Sequence, residues 1–240
     1  MGLQSLIHTP LVLRIRELDD AALVHGFSTN ALGTVGLTHA PDPVPVLASR
    51  RAFARALGIG DEPLTTAGAV HGSTIARVDE PKDVVQGVDG LVTNQRGVAL
   101  FATYADCYPI VLWDPMTRSA GLVHAGWRGT AAEVAKAAVK AMHDEYGSAP
   151  ENIKAGIGPG ICGRCYEVGG EVAGQFDARF VTPSGDRFLL DLAAANRAQL
   201  EEAGLSDIHV LGACTKETHY LPSHRRTPDG TRFGAIVALR

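Results

Sequence analysis

Apolar positions along this chain come in short blocks, and their spacing changes along its length. After a proline-rich stretch at 38–45, a helical pattern predicts a first helix over 46–57, ended by Gly58. Short apolar runs then follow at 67–70, 74–78, 90–93, 98–103, 110–113 and 119–123, each reading as a strand. Several lie too close together for parallel crossovers, which need roughly a dozen connecting residues, so the sheet or pair of sheets is mixed. Beyond His124 the period becomes helical. Val134, Ala135, Ala138, Val139 and Met142 form one stripe, Glu133, Lys136 and Lys140 lie off it, and Gly147 suits the C′ position. A strand at 153–157 runs into Gly158-Pro159-Gly160. A helix is predicted over 168–176, and another from an Asp191 cap to about Ala203, stopped by Gly204. Late strands are predicted at 208–211 and 233–239, the last alternating weakly, as a central strand does. One α/β domain without repeats accounts for the pattern.

Composition narrows the classes. The chain has 240 residues, 45% of them hydrophobic, enough for a substantial core and against wholesale disorder. Net charge is −4 with the signs mixed along the chain. No basic stripe points to nucleic acid and no polybasic helix to an anionic membrane. Charges interrupt every apolar run well before the roughly 20 residues that span a bilayer. Residues 1–13 lack the basic start and small-residue cleavage site of a signal peptide. Gly2 suggests myristoylation, but Leu6 stands where that motif needs Ser or Thr. A cytoplasmic protein is expected, with its four cysteines free or ligating.

The candidate chemistry sits where strands end. His124-Ala125-Gly126-Trp127-Arg128-Gly129-Thr130 joins an apolar strand to the Ala-rich helix. Its glycines admit close approach to the backbone, and a helix start beside Arg128 suits an anion. Ala105-Asp106-Cys107-Tyr108-Pro109 and Val70-His71-Gly72 are similar points upstream. Two histidines and a cysteine so placed are candidate ligands of a catalytic metal. Their gaps of 36 and 17 residues match no zinc-finger spacing, and Cys107 alone also reads as a buried core thiol. His8, His25, His39, His143 and His209 read as hydrogen-bonded structural residues. Cys162-Gly163-Arg164-Cys165 allows a redox pair or half of a structural zinc site. With no second Cys-x-x-Cys to complete a zinc site, two loop cysteines at the mouth of a pocket are the expectation.

These stretches together resemble the laccase-like "multicopper polyphenol oxidase" family, whose members are now regarded as purine nucleoside phosphorylases. The resemblance extends to Gly158-Pro159-Gly160-Ile161, Cys165-Tyr166-Glu167-Val168, Cys214-Thr215, Ser223-His224-Arg225-Arg226 and Thr231-Arg232, in order from about Phe27 to the C-terminus. It implies an α+β (mixed α/β) fold of central mixed β-sheets packed together with flanking helices, in a single domain over 1–240. It implies zinc, with copper less favoured, held by His71, Cys107 and His124, and phosphorolysis of adenosine, inosine and methylthioadenosine with adenosine deamination beside it. Three protein ligands would leave zinc an open position for water or substrate. Arg128, Arg225 and Arg226 are the candidates for phosphate. The expected partners are purine nucleosides and phosphate, with no nucleic acid or membrane, and the chain is expected to be a monomer.

Departures from the family pattern fall on substrate-shaping positions. Ser28-Thr29-Asn30-Ala31-Leu32-Gly33 replaces Ser-Thr-Arg followed by Gly-Gly, Ala69 replaces Gln, Ser49-Arg50 replaces Asn-Arg, and His224 replaces Tyr. The alternatives are a thiol hydrolase with Cys107 as nucleophile and His124 or His71 as base, a peptidoglycan-precursor editing role, a metal-binding module without turnover, and a copper-dependent phenol oxidase. Phenol oxidase chemistry needs a His-rich multinuclear cluster, and nine scattered histidines without a His-x-His pair do not supply one.

Overall fold

The structure, a computed structural model, describes residues 9–38, 40–60 and 62–240. Gly2, Leu6, His8 and His39 lie outside the described residues. In chain order the elements are β1 (Val12–Leu13), β2 (Leu23–Ser28), α1 (Pro43–Ala56), β3 (Leu64–Gly68), β4 (Ile75–Arg77), β5 (Val84–Gln86), β6 (Gly90–Thr93), β7 (Ala99–Tyr104), β8 (Tyr108–Asp114) and β9 (Ser119–Ala125). There follow α2 (Trp127–Ala131), α3 (Val134–Tyr146), β10 (Lys154–Ile157), β11 (Glu167–Val168), α4 (Gly170–Ala173), β12 (Val181–Ser184), β13 (Arg187–Leu190), α5 (Leu192–Glu202), β14 (Asp207–Val210) and β15 (Phe233–Leu239).

The strands form two six-stranded mixed sheets, ordered β1-β2-β15-β7-β3-β5 and β14-β10-β8-β9-β6-β4, and a small sheet β11-β13-β12. The fold is therefore the expected mixed α/β type. The long strands are apolar on both faces because both faces are covered. On β7, Leu100, Ala102 and Tyr104 point into the core between the large sheets, while Ala99 and Phe101 pack under α1 with Phe53 and Leu57. On β8, Val111 and Trp113 face that same inter-sheet core, while Ile110 and Leu112 meet Val134, Ala138 and Met142 of α3. The layers run helix, sheet, sheet, helices. Among the described residues no helix is long and apolar enough to cross a membrane.

Several boundaries differ from expectation. The first helix starts at Pro43, with Asp42 as its cap, because proline is accepted in the first helical turn where no N–H is needed. The strand expected over 67–70 ends at Gly68, and Val70 is exposed on the loop beyond it. The helix after His124 is two helices, broken where Glu133 takes a left-handed conformation with φ 58°. The helix expected over 168–176 shrinks to β11 and the single turn of α4, in a stretch rich in glycine. The buried strand β2 carried no sequence signal, since His25 and Gly26 interrupt its apolar run. The Asp191 cap is present, its side chain accepting from Ala194 N–H.

Candidate metal centre and cleft

The centre lies at the end of the inter-sheet core. The chain leaves β7 in the first large sheet and enters β8 in the second through Ala105-Asp106-Cys107. His124 is paired with Pro109 in the β8–β9 ladder. Two residues beyond Leu122 on β9, its side chain shares that residue's inward face. There its ring lies on Tyr104, centroids 4.8 Å apart, and Tyr104 is fixed by donating its hydroxyl to the Val123 carbonyl at 3.1 Å. His71 arrives from the loop after β3, its ring edge-on to His124 at 5.2 Å. One ligand atom from each of His71, Cys107 and His124 lies within 4.8 Å of the others.

Two non-glycine residues of this centre hold left-handed backbone, His71 at φ 62° and Asp106 at φ 86°. Each such conformation costs on the order of 1–3 kcal/mol and needs its surroundings to impose it. For His71 the device is Asp89. This fully buried carboxylate accepts from His71 N–H at 2.7 Å and from Gly72 N–H at 2.8 Å, while its own carbonyl accepts from His124 N–H at 2.6 Å. One residue thus positions both histidines. Asp106 is held by Thr215, whose hydroxyl donates at 2.6 Å, and by Arg225 N–H at 2.7 Å. Gly126 leaves room for the ligands: a Cβ there would stand 2.9 Å from Cys107 Sγ and 3.2 Å from the His71 ring.

The electrostatics suit a cation. Burial, then the neighbouring His71 and Arg232, lowers the His124 pKa to about 3, so its imidazole is neutral. Its Nε2 is buried without a hydrogen-bond partner. An unpaired buried polar atom costs about 1–3 kcal/mol, and a cation at the open nitrogen removes that cost. Burial, then Asp106, raises the Cys107 thiol to about 12, so without a metal it stays protonated. A thiolate and two imidazoles are borderline-soft donors that suit zinc or copper better than magnesium or calcium. The residues present fit a metal.

A cleft of about 740 Å³ opens onto this centre. Its lining includes His71, Cys107 and His124 together with Arg50, Gln86, Tyr166, His224, Arg225 and Arg232. Of the three arginines expected to meet phosphate, Arg225 lines this cleft. Its guanidinium lies over Tyr166 at 5.0 Å and donates to the Glu167 carbonyl at 2.7 Å. Arg128 is outside the lining, with its guanidinium over the Trp127 ring at 4.2 Å. Arg226 is outside it too, its guanidinium donating to the carbonyls of Thr215, Lys216, Thr218 and Leu221. Arg50 and Arg232, which the sequence marked as family-motif positions but not as anion contacts, also line the cleft. Arg50 lies over Phe101 at 4.6 Å, and burial lowers its pKa to about 10. Gln86 and Ala69 both border the cleft.

His25, His143 and His209 are hydrogen-bonded away from the cleft, to Ile15 N–H, the Ser148 carbonyl and Asp207 respectively. Asp89 had a sequence signal that reasoning from histidines and cysteines passes over. It is an acid inside an otherwise apolar run, Val88 to Val92, and a buried acid needs donors.

A neutral histidine, a second histidine and a cysteine at the foot of the cleft make a three-donor group able to hold a metal ion. A family model described as multi-copper polyphenol oxidoreductase laccase matches residues 24–240, and the chain belongs to that family. The purine nucleoside phosphorylase of Deinococcus radiodurans is 39% identical over 239 residues, 95% of this chain and 93% of that protein. Adenosine deaminase RL5, from an unknown prokaryotic organism, is 33% identical over 87% of this chain and 91% of its own length. The crystal structure of Bacillus licheniformis hypothetical protein YfiH matches with a TM-score of 0.89 at 27% identity, covering 97% of this chain and 98% of that one.

Proposed function

We propose that this chain is a zinc-dependent purine nucleoside phosphorylase acting on adenosine, inosine and methylthioadenosine, with adenosine deamination as a second activity of the same cleft. The observation that carries the reading is the unpartnered Nε2 of His124 beside His71 and Cys107, at the foot of a cleft sized for a nucleoside. The relatives named for both activities support the choice of substrate.

His71, Cys107 and His124 would hold the zinc, and the metal would supply a Lewis acid there. The chain's own groups do the rest. Arg225 and Arg232 offer guanidinium groups to phosphate on the cleft wall, and the Tyr166 ring offers a flat apolar face to a purine. Asp89 and Asp106 keep the ligand-bearing loops in place when substrate enters. Arg128 and Arg226 lie outside the cleft lining and contribute less to anion binding than Arg225.

The hydrolase alternative requires a thiolate in the free chain, and burial holds Cys107 protonated. A multinuclear copper site finds no support among the described residues, where the remaining close group of possible ligands is three cysteines and a glutamate.

The test is product analysis. Purified protein given inosine should release hypoxanthine and ribose 1-phosphate only when phosphate is present, and adenosine should yield adenine or inosine. Release of base at the same rate without phosphate, with free ribose as co-product, would refute phosphorolysis.

A further inference from the structure

A second donor group stands apart from the proposed chemistry. Cys162, Cys165, Cys214 and Glu217 each present a ligand atom within 4.8 Å of the others. Cys162 and Cys165 sit on a tight turn in which Cys165 N–H and Tyr166 N–H both donate to the Cys162 carbonyl, at 2.9 and 3.0 Å. The second segment is brought alongside by the backbone. Gly160 bridges to Cys214, with Thr215 N–H donating to the Gly160 carbonyl at 3.0 Å and Gly160 N–H to the Ala213 carbonyl at 3.2 Å. Cys162 N–H donates to Cys214 Sγ at 3.4 Å, and Cys165 Sγ lies 3.4 Å from Glu217 Oε1.

We propose that Cys162, Cys165, Cys214 and Glu217 bind a second zinc ion, a structural one that ties together two chain segments behind the cleft lining. Three sulfurs and one carboxylate oxygen are all zinc ligand types and together fill its four tetrahedral positions, as in structural sites, with the carboxylate in place of the more usual fourth cysteine or histidine. Zinc–sulfur bonds of about 2.3 Å place tetrahedral ligands about 3.8 Å apart, so the donors need to draw in by about an ångström at most. On binding, three thiols release their protons and the site becomes a complex of net negative charge. Arg164, which already pairs with Glu217 through its Nε at 2.8 Å, offsets part of that charge.

The position explains why a tie is useful. Tyr166 directly follows Cys165 and lines the cleft. Thr215 directly follows Cys214 and holds Asp106, the neighbour of Cys107. Cys162 and Cys214 are separated by 52 residues, so one ion closes a long loop and fixes the segments that lead to Tyr166 and Thr215. The place of a second Cys-x-x-Cys is taken by Cys214-Thr215-Lys216-Glu217, a Cys-x-x-Glu of the same spacing brought alongside in space.

The experiment compares metal content and stability in the full chain, expressed with zinc and purified under reducing conditions. The parent should hold two zinc ions, Cys107→Ala one, and Cys162→Ser/Cys165→Ser one. Cys107→Ala reconstituted with cobalt should show the intense visible bands of a tetrahedral thiolate site. Chelation should lower its Tm by about 5–10 °C, as loss of a bound ligand does in a chain of this size. Cys165→His, which keeps a zinc ligand, should retain the second ion where Cys165→Ser loses it, separating ligation from packing. A Cys107→Ala protein that carries no zinc and takes up no cobalt would overturn the proposal. So would a disulfide between any two of these cysteines in the reduced preparation.

Discussion

The two donor groups of this chain invite comparison, because they use the same residue types in opposite ways. The cleft group has three donors, one of them a fully desolvated histidine with an unpartnered nitrogen. His124 is carried on β9, Cys107 on the turn between β7 and β8 and His71 on the loop after β3, held by a buried aspartate and two left-handed residues. The cysteine group has four donors on loops, with Cys214 buried, Cys162 and Cys165 half-buried and Glu217 exposed. Three donors on a rigid frame beside a cleft leave room for substrate, whereas four donors on two loops leave none and serve to join them. Donor count and the stiffness of the support therefore separate chemistry from architecture here.

The largest expected effect breaks the comparison at its first term. Cys107→Ala should lower nucleoside turnover by roughly a thousandfold, the several kcal/mol a Lewis acid supplies, while the protein stays folded. Gly126→Ala comes next. Its added methyl would press on Cys107 Sγ and the His71 ring, so zinc content of the cleft site and turnover should fall together, with the cysteine-group zinc retained. If Gly126→Ala binds zinc and turns over normally, the ligands are less tightly framed than described.

The anion contacts come third. Arg225→Ala should raise the phosphate KM about tenfold, the lower range for a lost hydrogen bond to a charged group, and Arg128→Ala less than about threefold. Equal effects of the two would place the anion nearer the α2 start. The smallest effect concerns stability. Burial outweighs the attraction of Asp19 and depresses the pKa of His25, which accepts from Ile15 N–H. A depressed pKa means the folded state favours the neutral ring. The stability it contributes is full above the unfolded value of about 6.5 and declines as pH falls below it. His25→Gln should flatten the acid side of the Tm–pH curve; an unchanged slope would assign it to other groups.

Much of this was legible in the sequence where local periodicity and burial agreed. The strands of the second large sheet and the α3 stripe were read within a few residues, since strands covered on both faces form continuous apolar runs. The break at Glu133 was not legible, because a left-handed glutamate leaves no pattern in composition. β2 was hidden by His25 and Gly26, whose inclusion in a buried strand depends on a distant partner, Ile15, and on close packing against Leu57 and Val12. The three cleft donors could be named from strand ends and family motifs, but their support could not. Asp89 acts through backbone donors 17 and 18 residues away, and Asp106 through Thr215 and Arg225 more than 100 residues on. The fate of the arginines was equally non-local: Arg226 looks like its neighbour Arg225 until the carbonyls that surround it are in view.

The central claim is that turnover needs metal at the cleft and not a free Cys107 nucleophile. The direct measurement follows phosphate-dependent release of hypoxanthine from inosine by the parent protein as isolated, after chelation, and after zinc is returned. Iodoacetamide is added to a portion of each. Activity should vanish on chelation and return with zinc, and alkylation of Cys107, read by peptide mapping, should be slow both on the metal-loaded protein, where the thiolate is shielded, and on the stripped one, where burial keeps it a thiol. Full activity in metal-free protein, together with rapid inactivation by iodoacetamide, would contradict the account and favour the thiol mechanism.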